Sequence, residues 1–277
     1  DLIRSMNLIM TNACNLRCSF CLNASGKAFK NELSVEEWKR VLDLFEDLSY
    51  VKMTGGGEPL NRACCPKTYE VAKYLTDVKK SIVQINTNGT NPFPYNDLDK
   101  ELLRFQVSID GSKEGHDALR GKGVYNKAIN FIKEQKAKGY EVRIFKVITE
   151  RNWKEINAVI DLSKELDAPL SFRMMHQVGR GANLDLAKDI YKIVDELSLM
   201  GYQCKDEVRR CQRSLGGGAP SITIDSEGYY IPCPMFPELR GGKVLDPAFN
   251  EDDARENIRR LQGNKTCTYP QGYNIEY

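Results

Sequence analysis

Two rhythms of apolar residues alternate along the first 180 positions. Short apolar runs of strand character stand at Ser5–Met10, Val51–Thr54, Ile82–Thr87, Phe105–Ile109, Val142–Ile148 and Leu170–Met174. Longer amphipathic stretches separate them and predict helices at Ser34–Leu48, Tyr69–Lys79, Tyr125–Lys138 and Trp153–Leu166. Ser34 followed by Glu37 is a capping-box pattern, which fixes where the first helix starts. Strands alternating with helices at this spacing predict parallel βα units. Right-handed crossovers curl six such units into a partial (β/α)6 TIM-like barrel, an α/β fold. Parallel barrels carry their sites at the C-terminal strand ends, in the βα loops.

After about residue 180 the rhythm changes. One more helix is predicted at Leu184–Leu199. Then come three glycines at 216–218, a hairpin of Ser221–Ile224 and Tyr229–Ile231 around Glu227-Gly228, and a charged helix near Asp252–Gln262. Few apolar residues are available to hold this part together, and four of the nine cysteines fall in it. It reads as a small, loop-rich module stabilised by a metal site. The expected division is a barrel over 1–180 and an auxiliary module over 181–277.

A length of 277 residues suits one barrel-sized domain with such an appendage. The formal charge is +2, from 40 basic and 38 acidic residues, and it gives no overall pull toward nucleic acid or an anionic membrane. No apolar run approaches the roughly 18 residues of a membrane span. The cysteines change the picture more. They stand at 14, 18, 21, 64, 65, 204, 211, 233 and 267. An odd count with three packed closely fits metal ligation in a reducing cytosol better than a disulfide scaffold, so a cytoplasmic protein is expected. Only two histidines, His116 and His176, are present, too few for chemistry built on several of them.

Cys14, Cys18 and Cys21 follow the first strand in a C-x3-C-x2-C spacing. Thiolates ligate iron–sulfur clusters, usually four per cubane. Three close cysteines leave one iron without a protein ligand, the open position that a substrate-activating cluster needs, as catalytic zinc sites also keep one position open. A zinc knuckle is the plainer reading of the spacing, although neither histidine is near in sequence to close one. Thr54-Gly55-Gly56-Gly57-Glu58-Pro59 ends the second strand. Its glycines allow a ligand close to the backbone, and Glu58 can receive an ammonium group.

These residues together resemble the radical S-adenosylmethionine (SAM) superfamily, in the branch with SPASM or Twitch auxiliary-cluster domains. The likeness rests on Cys14-Cys18-Cys21, Gly56-Gly57-Glu58-Pro59, Thr87-Asn88-Gly89 and Val107-Ser108-Ile109-Asp110-Gly111. His116-Asp117-Ala118-Leu119-Arg120 and Val178-Gly179-Arg180 also match. The resemblance implies a catalytic [4Fe–4S] cluster on Cys14, Cys18 and Cys21 whose open iron chelates SAM. It implies that Gly56, Gly57 and Glu58 hold the SAM amino group, that Ser108 contacts the ribose or carboxylate, and that Arg120 pairs with the carboxylate. Phe20 takes the aromatic position beside the adenine, and Asn88 lines the same mouth.

The resemblance also implies one auxiliary [4Fe–4S] cluster on Cys204, Cys211, Cys233 and Cys267, where Gly228-x4-Cys233 matches a step of the pattern. A four-cysteine zinc site or buried free thiols is the plainer alternative. Pro270 stands where a further cysteine partner is expected, so a second auxiliary cluster is not. Pro234 stands where sulfatase-maturing relatives carry an aspartate base, which disfavours that activity. With thirteen residues before Cys14, no fused leader-peptide domain is expected in front of it. Cys64 and Cys65, in the loop after the second strand, are candidate hydrogen-atom donors to a substrate radical; a buried pair is the plainer reading.

The expected function is reductive cleavage of SAM to a 5′-deoxyadenosyl radical, which takes a hydrogen atom from a ribosomally made peptide or a protein to form a crosslink, oxidation or epimer. The alternative substrate is a small molecule such as a sugar, cyclitol or nucleoside. A non-catalytic Fe–S or zinc module fits less well, because an electron carrier has no need of Glu58 or Arg120. The expected partners are a flavodoxin- or ferredoxin-type electron donor and a separate leader-peptide-binding protein.

Overall fold

The computed structural model describes residues 4–54, 56–205, 221–231, 240–254 and 256. Nine strands form one sheet: β1 (Ser5–Ile9), β2 (Tyr50–Thr54), β3 (Ile82–Thr87), β4 (Leu103–Ser108), β5 (Glu141–Ile148), β6 (Leu170–Met174), β7 (Gln203–Lys205), β8 (Ser221–Ile224) and β9 (Tyr230–Ile231). The helices are α1 (Val35–Asp43), α2 (Cys65–Asp77), α3 (Lys113–Arg120), α4 (Val124–Ala137), α5 (Ile156–Glu165) and α6 (Ile190–Leu199). The strands lie in the order β7-β6-β5-β4-β3-β2-β1-β8-β9. All neighbours are parallel except β8 and β9. Among the described residues the sheet is open, with β7 and β9 at its edges.

Strands β1 to β7 are laid down in chain order, so right-handed crossovers put their helices on one face. That face is apolar. Leu8, Met53, Ile85, Phe105, Ile144 and Phe172 of the strands are buried in one core with Trp38, Leu75, Phe131 and Val159 of the helices. Alternate strand positions face the concave side, and these are largely polar. There the Tyr50 hydroxyl donates to Gln84 Oε1 at 2.7 Å, and Gln84 Nε2 donates to Asn86 Oδ1 at 2.7 Å and Gln106 Oε1 at 3.0 Å. Closed parallel barrels fill this space with branched apolar side chains. Here it holds a hydrogen-bonded polar wall instead.

The six predicted strands and the helix starting at Ser34 are present. Ser34 Oγ accepts from Glu37 N at 3.3 Å while Glu37 Oε2 accepts from Ser34 N at 2.8 Å, a complete capping box. The first helix ends five residues earlier than predicted, at Asp43. Three features differ from the expectation. Helix α3 was not predicted: only His116 and Leu119 of its eight residues are buried, too few to show a helical period. Strand β7 adds to β6, and β8 of the predicted hairpin also pairs with β1, so both extend the barrel sheet beyond residue 180. No helix among the described residues is long and apolar enough to cross a membrane.

The sheet curls. Strands β1 and β6 are five places apart, about 24 Å across a flat sheet at normal strand spacing. Yet Arg180, in the loop after β6, hydrogen-bonds the loop after β1 at 2.9 Å. The C-terminal mouth of the barrel is therefore bridged by its own loops.

Candidate functional site

The chain leaves β1 into a loop that closes on itself. Cys14 N donates to Gly26 O and Gly26 N to Asn12 O, both at 3.0 Å, so residues 14–26 form a lasso tied at its base. Within it, Cys21 N donates to Cys18 O at 3.3 Å and Ala24 N to Cys21 O at 3.2 Å. Cys14, Cys18 and Cys21 are all free thiols, and Cys18 is buried. Burial pushes the Cys14 thiol up to about 11, with the charges of Glu58, Cys18 and Cys21 adding to it, against the opposing Leu16 amide. Burial also raises Cys18, against the opposing charge of Arg120. Both thiols are thus protonated near neutrality, and metal binding would displace their protons.

The loop after β2 lies directly on this lasso. Gly57 N donates to Thr11 O at 2.6 Å and Glu58 N to Ala13 O at 2.8 Å. A Cβ on Gly57 would stand 1.9 Å from Ala13 O, so the glycine is required by the backbone of the cysteine loop itself. Ser25, inside the lasso, donates its hydroxyl to Gly56 O. The Glu58 carboxylate is buried. Its Oε1 accepts from Thr87 Oγ1 at 2.6 Å and Leu60 N at 3.0 Å, and its Oε2 accepts from Asn88 N at 2.7 Å. Burial raises its pKa in spite of those three donors. A carboxylate offers about four acceptor directions, so Glu58 bolts the β2 loop to the β3 loop and retains room for one more donor.

Asn88 continues the bracing. Its Nδ2 donates to Asn15 Oδ1 at 3.1 Å, and Asn15 Nδ2 donates to Thr90 Oγ1 at 2.8 Å. The β1, β2 and β3 loops are therefore one hydrogen-bonded unit.

The β4 loop supplies the charged part. Ser108 ends β4, and Asp110, two residues on, is fully buried. Asp110 Oδ1 accepts from Val147 N at 2.9 Å, while Oδ2 accepts from Arg120 Nε. Burial pushes the Asp110 carboxyl up, but Arg120, His116 and Lys146 outweigh it and hold it below the usual carboxylate range. Helix α3 exists to make this arrangement. His116 Nδ1 accepts from Asp110 N at 3.1 Å, which places the ring proton on Nε2. Burial, then the Arg120 charge, push the His116 pKa down to about 4, so it stays neutral. Asp117 accepts from Gly123 N at 2.6 Å and Tyr125 N at 2.8 Å, capping α4. Arg120, at the end of α3, holds its guanidinium 5.2 Å above the Phe20 ring, with Nη1 4.0 Å from Cys18 Sγ. Phe20 is buried with Cys18, Leu119 and Met175 in a small apolar cluster of its own.

The structure thus gathers Cys14, Cys18, Cys21, Phe20, Gly56, Gly57, Glu58, Asn88, Ser108 and Arg120 at the C-terminal mouth of the barrel. Asp110, Asn15, Ser25 and Arg180 join them. Asp110 and Arg180 lie in motifs that carry the resemblance, without a role attached to them, and no pattern in the sequence singled out Asn15 or Ser25, whose partners are far along the chain. Among the described residues no three Cys, His, Asp or Glu side chains converge tightly enough to hold a single metal ion. A cubane takes its thiolates on separate irons and does not need such convergence. The donor set is all sulfur and one ligand short of four.

Cys64 and Cys65 are placed differently. Both are buried in the main hydrophobic core. Cys64 Sγ lies 3.5 Å from Thr68 Oγ1, and Cys65 Sγ lies 3.9 Å from Pro92 O. Burial, first among the causes, raises both thiols, Cys65 to about 11. This is the setting of packing thiols. Cys64→Ala and Cys65→Ala are each expected to lower stability by about 1 kcal/mol through a small cavity, measured by thermal melts. Cys204 stands in β7, half-buried against the core. Cys211, Cys233 and Cys267 lie outside the described residues.

Comparison with known proteins agrees with this geometry. The sequence model described as the radical SAM superfamily matches residues 8–163. Mycofactocin maturase MftC of Mycobacterium tuberculosis is 32% identical over 194 residues, covering 68% of this chain and 48% of that protein. Sporulation killing factor maturation protein SkfB of Bacillus subtilis is 30% identical over 283 residues, covering 93% of this chain and 66% of the relative. The chain therefore spans about half the length of the mycofactocin maturase. Among solved structures, Streptococcus suis SuiB bound to S-adenosylmethionine superposes with a TM-score of 0.75 at 15% identity, over 94% of this chain and 68% of that one. That likeness is one of fold, and matches the open parallel sheet. With its cysteine lasso on β1 and the match running from β1 into α5, the chain belongs to the radical SAM superfamily.

Proposed function

We propose that this chain cleaves SAM reductively and uses the resulting radical to modify a ribosomally made peptide, forming a crosslink, oxidation or epimer. The observation that carries the reading is the thiol lasso seated on Gly57 and Glu58 at the barrel mouth. The relatives named as maturases support a peptide substrate. When bound, a [4Fe–4S] cluster supplies one electron and a SAM-chelating iron. The protein's own groups do the rest. Cys14, Cys18 and Cys21 hold the cluster, and Glu58, with one acceptor direction left, receives the SAM ammonium beside Gly56 and Gly57. Arg120 and Ser108 stand where a carboxylate and ribose are met, and Phe20 and Asn88 flank the mouth. Asp110 keeps Arg120 aimed. The fork of an arginine suits a carboxylate.

Within residues 181–277, beside the strands that extend the barrel sheet, Cys204, Cys211, Cys233 and Cys267 would be the ligands of a second cluster. A flavodoxin- or ferredoxin-type protein would deliver the electron, and a separate leader-peptide-binding protein would present the substrate.

Anaerobic reconstitution is expected to load close to two clusters' worth of iron and sulfide. Dithionite and SAM should then release 5′-deoxyadenosine, and Cys14→Ala, Cys18→Ala or Cys21→Ala should each reduce that release to background. Zinc in place of iron, or no nucleoside from the loaded protein, would overturn the reading. Peptides encoded in short reading frames beside the gene test the substrate: a loss of two hydrogen atoms marks a crosslink or oxidation, and solvent deuterium uptake marks epimerisation. Conversion of a sugar, cyclitol or nucleoside in place of any such peptide would give the small-molecule alternative.

A further inference from the structure

The cysteine lasso is held from the far side of the mouth by a residue that none of the chemistry above uses. Arg180 follows β6 and touches the lasso three times. Its backbone N donates to Cys21 O at 2.9 Å, its Nε to Cys18 O at 2.9 Å, and its Nη1 to Ser25 O at 3.0 Å. The backbone beside it fits closely. Gly179 has φ +58°, and a Cβ there would stand 2.1 Å from Leu22 O and 2.5 Å from Cys21 O. The β6 loop is therefore pressed against the peptide units that carry two of the three thiols. Arg17 reaches the same Ser25 carbonyl at 3.1 Å and Cys14 O at a longer 3.4 Å, from an exposed position.

The lasso contains no helix or strand over 14–26. Its base is tied by Cys14 and Gly26, and its Cys14 side rests on Gly57 and Glu58. The arm with Cys18 and Cys21 extends away from those supports. Its internal bonds are single turns, which do not by themselves fix where the arm sits over the mouth. The arm's position is set by what it meets: the packing of Cys18 and Phe20 on Leu119 and Met175, Leu119 O, which accepts from Ser19 N at 3.4 Å, and the three donors of Arg180. A planar guanidinium fixes two carbonyls in one geometry, as a flexible ammonium does not. Its charge also lies one peptide unit from two sulfur ligands, where it favours the anionic, loaded state of the loop.

We propose that Arg180 is a positioning residue for the cluster, presetting the Cys18 and Cys21 arm from across the barrel mouth so that the lasso loads and retains iron. This rests on the assignment of Cys14, Cys18 and Cys21 as the cluster's ligands. The test uses the full chain, reconstituted anaerobically as wild type, Arg180→Ala, Arg180→Lys and Arg17→Ala. Its readouts are iron and sulfide content, the rate of iron loss to a chelator, and the electron paramagnetic resonance spectrum of the reduced cluster with and without SAM. Arg180→Ala is expected to lose iron about tenfold faster or more, the usual effect of removing a partner that orients metal ligands. Arg180→Lys should retain iron better than alanine but give a shifted spectrum, and Arg17→Ala should stay near wild type.

Circular dichroism of the apoproteins separates misfolding from loss of the cluster. If Arg180→Ala does not fold, Arg180→Lys decides by its spectrum. Iron retention and spectra like wild type in the folded Arg180 variants would overturn the proposal. So would equal losses in Arg17→Ala, which would point to general loss of positive charge. Failure of the wild-type chain to take up a cluster would strike the ligand assignment instead.

Discussion

Gly57→Ala is expected to empty the cluster lasso while the helices stay folded. The added Cβ would stand 1.9 Å from Ala13 O, 2.4 Å from Ala13 C and 2.8 Å from Ala13 N, all backbone atoms with no side-chain freedom to yield. The β2 loop must move away, and the bonds from Gly57 N to Thr11 O and Glu58 N to Ala13 O break with it. Overpacking costs about 1–3 kcal/mol, and each lost hydrogen bond adds about 1 kcal/mol. Melting should fall by about 10 °C, given roughly 2–4 °C per kcal/mol for domains of this size. Iron content after reconstitution should fall severalfold. Gly56→Ala is the control. Its nearest obstacle is one methyl group, Ile9 Cγ2, at 2.8 Å, with Thr11 O next at 3.0 Å. It should do less harm, and the reverse ranking would contradict this account of the loop.

Asp110→Ala carries the second large effect. The carboxylate is fully buried and pairs with an Arg120 side chain that is only 9% exposed. Removing it leaves a guanidinium in the interior without its partner, which costs about 3–5 kcal/mol in such settings. It also deprives Val147 N of its acceptor. Asp110→Asn keeps one acceptor for Val147 N but loses the charge and the bond from Arg120 Nε, so it should cost less than alanine. The effect should depend on pH in a definite direction. Arg120, His116 and Lys146 hold the folded carboxyl below its ordinary value. Its contribution is therefore complete above the ordinary carboxylate pKa of about 4 and is lost as pH falls through the depressed folded value. Melts from neutral pH downward should show the gap between wild type and Asp110→Asn closing in acid. A gap of constant width would show that the charge of Asp110 is not what stabilises the site.

The sequence disclosed elements wherever burial is periodic and local. The strands read correctly because their helix-facing residues, Val83 and Ile85 or Val142 and Ile144, are unbroken apolar pairs. The capping box at Ser34 and Glu37 is a contact three residues long, so it was visible too. Helix α3 was hidden because its function is polar: His116, Asp117 and Arg120 each serve a partner elsewhere in the mouth. The pairing of β8 with β1 has no local signature, since it joins segments more than 200 residues apart. At the site, the thiols, Glu58 and Arg120 were legible as chemistry. Their supports were not. Gly57 reads as space for a ligand, yet its close neighbour is the backbone of Ala13. Arg180 reads as part of a matching Val178-Gly179-Arg180 motif with no role attached, yet it serves two cysteine carbonyls. Both facts depend on which loops a curled sheet brings together.

The place of β1 between β2 and β8 has a consequence for how the protein is made. Asn7 Nδ2 hydrogen-bonds Ser221 Oγ and Thr223 Oγ1, across 214 and 216 positions of chain. A ribosome adds about 5–20 residues each second, so the first strand waits some ten to forty seconds after its own synthesis for its second neighbour. The lasso emerges with β1 and spends that interval on an edge. It also waits for Arg180, which is made only shortly before β8. A nascent chain therefore carries the Cys18 and Cys21 arm without its Arg180 support until residue 180 is made, and iron delivered late meets a cradle that iron delivered early would not find.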